Sequence, residues 1–110
     1  MILPLYAEYL KEFEYYIIEG WLFLKYIEIH KKYRRQGIGK RVMKDLMGYC
    51  EENNLNLFLF PANSNSKYLR CLIKFYSGCG MEQFINDEGF IVFVKYYGDQ
   101  RPDLPVLPGF

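Results

Sequence analysis

A short glycine-containing segment, residues 33–39 with the sequence YRRQGIG, constrains the fold of this chain more than any other feature. The run before it, residues 21–29, is rich in aromatic and β-branched side chains and lacks glycine and proline, which predicts a buried strand. After it, apolar side chains recur at every fourth position, at Ile38, Val42, Leu46 and Cys50. That spacing predicts one face of a helix, so the segment is expected to connect a strand to a helix.

Such a connection has the properties of an anion-binding site. Gly37 and Gly39 have no Cβ atom, so a ligand is able to approach the backbone closely. The first amides of the predicted helix have no acceptor within the helix, and the positive end of the helix dipole lies behind them. A phosphate or pyrophosphate group is therefore the expected occupant.

Two common phosphate-binding motifs do not fit these residues. A Walker A loop needs glycine where Arg34 stands and serine or threonine where Arg41 stands. A dinucleotide-binding fingerprint needs a small residue where Val42 stands. It also needs an acidic residue at the end of the next strand, and that strand is followed by Pro61. A different ligand that contains phosphate is indicated.

The pattern Arg34-x-x-Gly37-x-Gly39 resembles the acyl-CoA-binding motif of the GCN5-related N-acetyltransferases, the GNAT family. A second segment, residues 72–81 with the sequence LIKFYSGCGM, is similar to a later part of the same family. There Tyr76 takes the place of the family's tyrosine, and a glycine with an apolar residue follows it before the next strand. Both segments stand in the family's order, so together they identify the chain as similar to GNAT proteins.

Composition and charge narrow the class of protein. At 110 residues the chain suits one small domain, and 51% hydrophobic with 19% aromatic residues favour a packed, sheet-rich core over disorder. A net charge of +1 argues against a general binder of nucleic acid or of acidic membranes. The three cysteines cannot all pair and lack metal-binding spacing, as is typical of reduced thiols in a cytosolic protein. No run approaches the roughly twenty apolar residues of a membrane span, so we expect a cytoplasmic protein without a metal.

Turn residues divide the chain into short elements. Strands are predicted at residues 13–18, 21–30, 55–60, 82–86 and 90–97, and helices at residues 38–52 and 67–77. Residues 1–12 fit either a short helix or an edge strand. Because a helix connects the second and third strands, these two strands are predicted to be parallel. One domain is expected over residues 1–97, followed by a proline-rich extended tail over residues 98–110.

The resemblance covers residues 13–97 and implies an α+β fold, a GNAT-like mixed sheet with packed helices. In that family acyl-CoA lies in a cleft between two parallel strands that splay apart. Family members usually begin with a strand and two helices, so this N-terminal part is expected to be largely missing here. Its absence would leave the acceptor side open, and apolar aromatic residues on the first hairpin would suit a homodimer.

The function that the resemblance implies is transfer of an acetyl group from acetyl-CoA to a primary amine, with a protein as the expected acceptor. In its brevity the chain is also similar to phage-encoded anti-defence acetyltransferases that modify a host protein. Two alternatives stay open. One is a non-catalytic acyl-CoA-binding module, and the other, ranked last, is a nucleic-acid binder that uses the basic loop.

By the same resemblance, the backbone of Ile27 and Ile29 is expected to bind the pantetheine arm as an added strand would. The pyrophosphate is expected to bind the backbone amides of the loop and of the first helical turn. These belong to Arg35, Gln36, Gly37, Ile38, Gly39 and Lys40.

Side chains are expected to add contacts to the cofactor. Arg34, Arg35 or Lys40 would make charge-assisted hydrogen bonds to its phosphates. An asparagine that often binds the cofactor in the family is replaced here by Leu69. Asn65, with Asn63 as the alternative, is the candidate to take its place.

Two residues are expected to serve the chemistry. Tyr76 would donate a proton to the departing thiolate, since the pKa of a phenol near 10 is close to that of a thiol. Its alternative role is that of a core aromatic. Glu28 is the candidate general base, although strand alternation places it on the face opposite to Phe23 unless a bulge shifts the phase. His30, a water relay or an already neutral substrate amine remain as other possibilities for the base.

Overall fold

The fold is described from a computed structural model, over residues 6–61 and 66–106. Its strands are β1 (Leu10–Ile18), β2 (Trp21–Ile29), β3 (Asn56–Leu59), β4 (Glu82–Ile85) and β5 (Ile91–Lys95), and its helices are α1 (Ile38–Glu52) and α2 (Ser66–Gly78). A single 3₁₀ turn, Lys31–Tyr33, follows β2. The predicted α+β class is confirmed, and the predicted elements agree with the observed ones to within about three residues at most ends.

The five strands form one mixed sheet in the order β1-β2-β3-β5-β4. β1 and β2 are an antiparallel hairpin whose turn residues, Glu19 and Gly20, both have positive φ angles of 49° and 82°. Such angles are those that a two-residue hairpin turn of the favoured twist requires. β2 and β3 pair in parallel, from Trp21 beside Asn56 to Leu24 beside Leu59, as the crossover through α1 predicted.

Both faces of the sheet are covered, and each has its own core. The helix face carries leucines of β2 and β3 and Phe93 of β5, packed against residues of α1 and α2 such as Met43, Leu46 and Tyr76. The opposite face, here called the outer face, consists of Trp21, Phe23, Phe58, Val92 and Val94. Alternation of side chains along the strands divides them between the two faces.

The C-terminal segment contributes to the outer face. Residues 96–106 contain no helix or strand, but the half-buried Leu104 packs against the outer-face cluster. Arg101 lies over the ring of Tyr96, 4.8 Å from its centroid, and its Nη1 is 3.0 Å from a carboxylate oxygen of Glu82. The predicted division of the chain at residue 97 stays a prediction, and residues 107–110 lie outside the described part.

The residues ahead of β1 form a turn that packs on the loop after β2. Tyr9 meets the ring of Tyr33 edge to face at 4.8 Å, and its carbonyl accepts a hydrogen bond of 2.9 Å from the amide of His30. Tyr6 donates from its hydroxyl to the carboxylate of Asp45 on α1. β1 begins at Leu10, so residues 10–12 belong to an edge strand rather than to a helix.

Within residues 6–61 and 66–106, neither helix combines the length and the apolar character that crossing a bilayer requires. In the same part of the chain, no group of three or more His, Cys, Asp or Glu residues is arranged to hold a metal ion. The cysteines are free thiols: Cys50 is buried, Cys79 is half-buried and Cys71 is exposed.

Candidate functional site

A cleft opens in the sheet where β2 extends beyond its parallel partner β3. β3 pairs with β2 only as far as Leu24, and β2 continues without it to Ile29. The space between the strands has a volume of about 630 Å³ and is walled by β2 on one side and by α2 on the other. The predicted buried strand is therefore buried only over its first four residues, Trp21 to Leu24, because the rest faces this cleft.

A β-bulge lies at the inner end of the cleft. Tyr15 of β1 pairs with Leu24 and the preceding Glu14 pairs with Tyr26, so Lys25 is an extra residue in β2. The bulge shifts the alternation of side chains by one position. The exception that the sequence analysis allowed for therefore applies, and past the bulge Glu28 lies on the outer face, as Phe23 does.

Two residues predicted for the site contact each other at the outer end of the cleft. Arg34 points back from the loop, with Nη2 3.4 Å from Oε1 of Glu28 and Nε donating to the carbonyl of Ile29 at 3.1 Å. Glu12 of β1 lies directly opposite Glu28, and like charges in that relation repel. Arg34 therefore offsets a repulsion between carboxylates and fixes the end of β2 to the loop.

The loop before α1 leaves its amides available. Gly37 is the N-cap residue and makes no side-chain cap, and the first turn of α1 contains no acidic residue. The first helical hydrogen bond runs from the amide of Arg41 to the carbonyl of Gly37, at 3.2 Å. No amide from Arg35 to Lys40 donates to the backbone of another described residue. The positive end of α1 is therefore not neutralised by the described part of the chain.

The two motif glycines are required for different reasons. Gly37 has a φ of +76°, which disfavours any residue with a Cβ atom, and a Cβ built there would have nothing within 4 Å. Gly39 has an ordinary φ, but its Cβ would lie 3.3 Å from Cζ of Phe75. Close packing of α2 on α1 thus explains Gly39 without a ligand, which the sequence did not predict.

Tyr76 lies on the helix face at the wall of the cleft. Its ring packs against Phe75 at 5.1 Å and against Phe93 at 5.4 Å between centroids, and only 6% of the residue is exposed. Burial raises the pKa of its phenol to about 12, with a smaller contribution from the neighbouring Cys79. The hydroxyl therefore keeps its proton at neutral pH, and it makes no hydrogen bond to another described residue.

Comparison with known proteins identifies the family. The model of the acetyltransferase (GNAT) family matches residues 6–81. The chain belongs to the GNAT family. The predicted family is thereby confirmed, and acetyl-CoA is confirmed as the co-substrate that this family uses. No curated protein matches the chain.

Solved structures confirm the GNAT fold. The PaiA N-acetyltransferase of Thermoplasma acidophilum, in complex with coenzyme A, superposes with a TM-score of 0.61 at 20% identity, over 77% of this chain and 52% of that one. The anti-CRISPR protein AcrVA5 superposes with a TM-score of 0.59 at 22% identity, over 73% of this chain and 85% of that one. The ribosomal-protein-S18-alanine N-acetyltransferase of Escherichia coli superposes with a TM-score of 0.57 at 19% identity, over 74% of this chain and 56% of that one. This chain thus spans about half the length of the first and third of these proteins.

The remaining residues predicted from the GNAT motifs lie in different places. Lys40 is exposed on α1 and borders a second cleft of about 420 Å³, which also includes Cys79. Leu69 is half-buried on α2, where the family often has asparagine. Asn65 and Asn63 lie outside the described residues.

The sequence did not single out Lys25, Tyr26 and Tyr68, which also border the first cleft. A signal for Lys25 was present, since it interrupts the apolar run of β2 as Glu28 does. Tyr68 gave none, because an exposed tyrosine on a helix is unremarkable in so aromatic a chain.

Proposed function

We propose that this chain is an N-acetyltransferase that binds acetyl-CoA in the cleft between β2 and β3 and transfers the acetyl group to a primary amine. The observation that carries the proposal is the convergence of three features on one cleft. These are the splay of two parallel strands, a loop at its outer end whose amides donate to no described backbone group, and a buried, protonated Tyr76 in its wall.

The topology gives the cofactor a direction. The loop follows the C-terminal end of β2, so a pyrophosphate on the amides of residues 35–40 lies at the Ile29 end of the cleft. The pantetheine arm then runs back along Ile27 as an added strand and brings the thioester to the bulge. The charges of Arg35 and Lys40 supplement the amides, and Asn65 remains a predicted contact to the cofactor.

Tyr76 acts on the leaving group as a hydrogen-bond donor. With a pKa of about 12, its phenol is a much weaker acid than a thiol with an ordinary pKa near 8.5. It therefore stabilises the departing thiolate without losing its own proton, which refines the general-acid hypothesis. The attacking amine loses one proton and the departing thiolate takes one up, so the transfer balances.

Glu28 is the proposed acceptor of that proton, directly or through a water. It borders the cleft on the outer face, and its contact with Arg34 orients the carboxylate. Arg34 in this role positions Glu28 instead of binding phosphate. His30 is a weaker candidate because it is not among the residues that border the cleft.

We infer that the acceptor is an amine of a protein. Two of the similar folds belong to an anti-CRISPR protein and to a ribosomal-protein-S18-alanine N-acetyltransferase, and this chain spans 85% of the former. Tyr26, 43% exposed on the outer face of β2, provides an aromatic contact surface for that protein or for a second copy of the chain. A cytoplasmic location and an anti-defence role belong to the same proposal.

Calorimetric titration of acetyl-CoA tests the cofactor site. The wild type is compared with Gly37→Glu and with Gly20→Glu, a matched control at a hairpin turn remote from the cleft. Both glycines have positive φ, +76° and +82°, and open space around the Cβ position, so the two variants carry similar backbone strain. We expect Gly37→Glu to abolish binding and Gly20→Glu to retain it. At a hundredfold excess over Kd, the ligand should stabilise the wild type by about 2.7 kcal/mol.

Failure of the folded wild type to bind acetyl-CoA would overturn the proposal. Binding without acetyl transfer to any primary amine in a peptide array would favour the non-catalytic acyl-CoA-binding module. In that case Tyr76→Phe would leave the function of the chain unchanged. For the acetyltransferase, we expect Tyr76→Phe to keep binding and to lower kcat by about a hundredfold, the effect of one lost donor to a developing charge.

A further inference from the structure

We propose that Lys25 is an acceptor of the acetyl group, so that the chain acetylates itself inside its own cleft. This inference rests on the proposed acetyltransferase function and assigns a modification site to a residue that has no part in cofactor binding. It starts from the position of Lys25 in the sheet. Lys25 is the extra residue of the β2 bulge, and it directly follows the last pair between β2 and β3.

The side chain of Lys25 is held beside the cleft. Its Nζ lies 5.4 Å from the ring centroid of Tyr26 and 6.0 Å from that of Tyr16, both on the outer face. Contacts of a cation with two aromatic faces favour that position by cation–π attraction. Lys25 is half-buried and borders the same cleft as Glu28 and Tyr76.

The direction of the cofactor brings the reacting carbon to this residue. A thioester at the inner end of an arm that runs from Ile29 back along β2 arrives at the bulge. Glu28 lies on the outer face, three positions along β2, so a proton acceptor is present on the same side of the sheet. Proximity of this kind replaces a bimolecular encounter by an intramolecular one.

The step conserves atoms and charge. The ammonium group of Lys25 first gives one proton to water. The neutral amine then attacks the thioester carbonyl, an N–C bond forms and the C–S bond breaks. The amine loses a proton to Glu28 or to a water, and the coenzyme A thiolate takes up a proton. The products are acetylated Lys25 and free coenzyme A, and the lysine has lost its charge and its attraction to both tyrosine rings.

Lys32 is a matched internal control. Its Nζ also lies over a tyrosine ring, 5.0 Å from the centroid of Tyr33, and it is more exposed than Lys25. Lys32 does not border the cleft. Spontaneous chemical acetylation would therefore modify Lys32 at least as fast as Lys25, whereas transfer within the cleft would modify Lys25 alone.

The test incubates the full chain with acetyl-CoA that carries a deuterated acetyl group and follows each lysine by peptide mass spectrometry. We expect Lys25 to gain the label at least about tenfold faster than Lys32, which corresponds to about 1.4 kcal/mol in activation free energy. The rate constant should saturate with acetyl-CoA and should not change with protein concentration. Gly37→Glu should stop the labelling, and Gly20→Glu should not.

Parallel calorimetry separates the two levels of inference. If acetyl-CoA binds and an external amine is acetylated while Lys25 is labelled no faster than Lys32, self-acetylation is wrong and the proposed function stands. A labelling rate that rises with protein concentration also overturns transfer within one molecule. If acetyl-CoA does not bind the folded wild type, both proposals are overturned.

Discussion

Gly39 and Phe75 are in contact between the first turn of α1 and the last part of α2, so closely that a Cβ atom on the glycine would lie 3.3 Å from Cζ of the phenylalanine. The contact joins the helix whose amides are proposed to bind the pyrophosphate to the helix that carries Tyr76. The loop and the proposed catalytic tyrosine therefore have a fixed separation. That separation depends on a glycine that the sequence alone assigned to the ligand.

Replacing Gly39 with alanine is expected to destabilise the fold by about 1 kcal/mol, the lower end of the range for overpacking. The matched control is Gly48→Ala in the same helix, where a Cβ meets nothing within 4 Å. That control should stabilise by about 0.5–1 kcal/mol because alanine is the better helix former. Urea unfolding of both variants measures the difference.

A double-mutant cycle with Phe75→Leu identifies the cause. If the phenylalanine ring opposes the new methyl group, Gly39→Ala should lose its penalty in the Phe75→Leu background. Equal effects of Gly39→Ala in both backgrounds would show that the contact with Phe75 does not explain the glycine.

Removing the positive charge of Arg34 is expected to affect turnover much more than stability. Arg34 and Glu28 have side chains that are 48% and 39% exposed, and an ion pair of this kind contributes at most about 1 kcal/mol. Arg34→Gln should nevertheless lower kcat about tenfold, because Glu28 loses its orientation, and should change the Kd of acetyl-CoA by less than about twofold. Steady-state kinetics and calorimetry measure the two quantities.

The matched control is Arg101→Gln, which breaks a similarly exposed ion pair with Glu82 on the far edge of the sheet. Its effect on kcat should be negligible. Glu28→Gln should lower kcat by about a hundredfold. When Arg34→Gln is added to that variant, kcat should hardly change further. A loss of acetyl-CoA affinity in Arg34→Gln, with kcat retained, would show that Arg34 binds phosphate and does not position Glu28.

Alkaline pH is expected to destabilise the fold through Tyr76. Its pKa of about 12 in the folded state exceeds the ordinary value of 10.0 that applies in the unfolded chain. The contribution to the free energy of unfolding is therefore fully present below pH 10 and is lost as the pH rises towards 12. Tyr76→Phe should lose about 2 kcal/mol less than the wild type over that interval. Urea unfolding at pH 9 and at pH 11.5 measures this.

Exposed Tyr68 provides the control for the alkaline experiment, since Tyr68→Phe removes a hydroxyl at the mouth of the same cleft. Its loss of stability between the two pH values should equal that of the wild type. Tyr97 also has a pKa raised to about 12 by burial, so some alkaline loss should persist in every variant. Identical losses in Tyr76→Phe and the wild type would contradict the burial of this phenol.

Replacing Leu104 with aspartate is expected to destabilise the fold by about 2 kcal/mol, since a half-buried leucine leaves the outer-face cluster and a charge takes its place. Val106→Asp is the control two residues further on, where 90% of the side chain is exposed, and it should have no effect. Thermal and urea unfolding compare the two. Equal stability of both variants would support the predicted boundary at residue 97, with a tail independent of the domain.

Much of the fold could be predicted because local chemistry determines it. The apolar spacing of α1 and the turn at Glu19 and Gly20 are patterns that lie within a few residues of each other, and the structure has both. The parallel pairing of β2 and β3 followed from the helix that connects them as a crossover. The ends of β3 were less predictable, since Leu55 and Phe60 are as apolar as Leu57, Phe58 and Leu59 but have no register partner on β2.

The loop of the site could be predicted from the sequence. The contacts between segments that are distant in the sequence could not. Gly37 lies in the loop between β2 and α1 that the motif predicted, and Tyr76 does border the cleft. The bulge at Lys25 could not be read from alternation, because it depends on how β1 pairs with β2. Likewise the reach of Arg34 to Glu28 and the packing of Phe75 on Gly39 depend on elements that meet only after folding.

β5 is the last strand of the described residues, yet it lies inside the sheet between β3 and β4. During synthesis, β3 therefore leaves the ribosome with one edge unpaired, and β4 emerges with no partner at all. The free edges of β3 and β4 gain hydrogen-bond partners only when residues 91–95 have been made. The outer face is covered fully only when Leu104 has been made as well. The proposed acetyl-CoA cleft, which needs β3 in place, is thus completed only after β5 has been made, so a chain interrupted before β5 is expected to expose strand edges and to bind no acetyl-CoA.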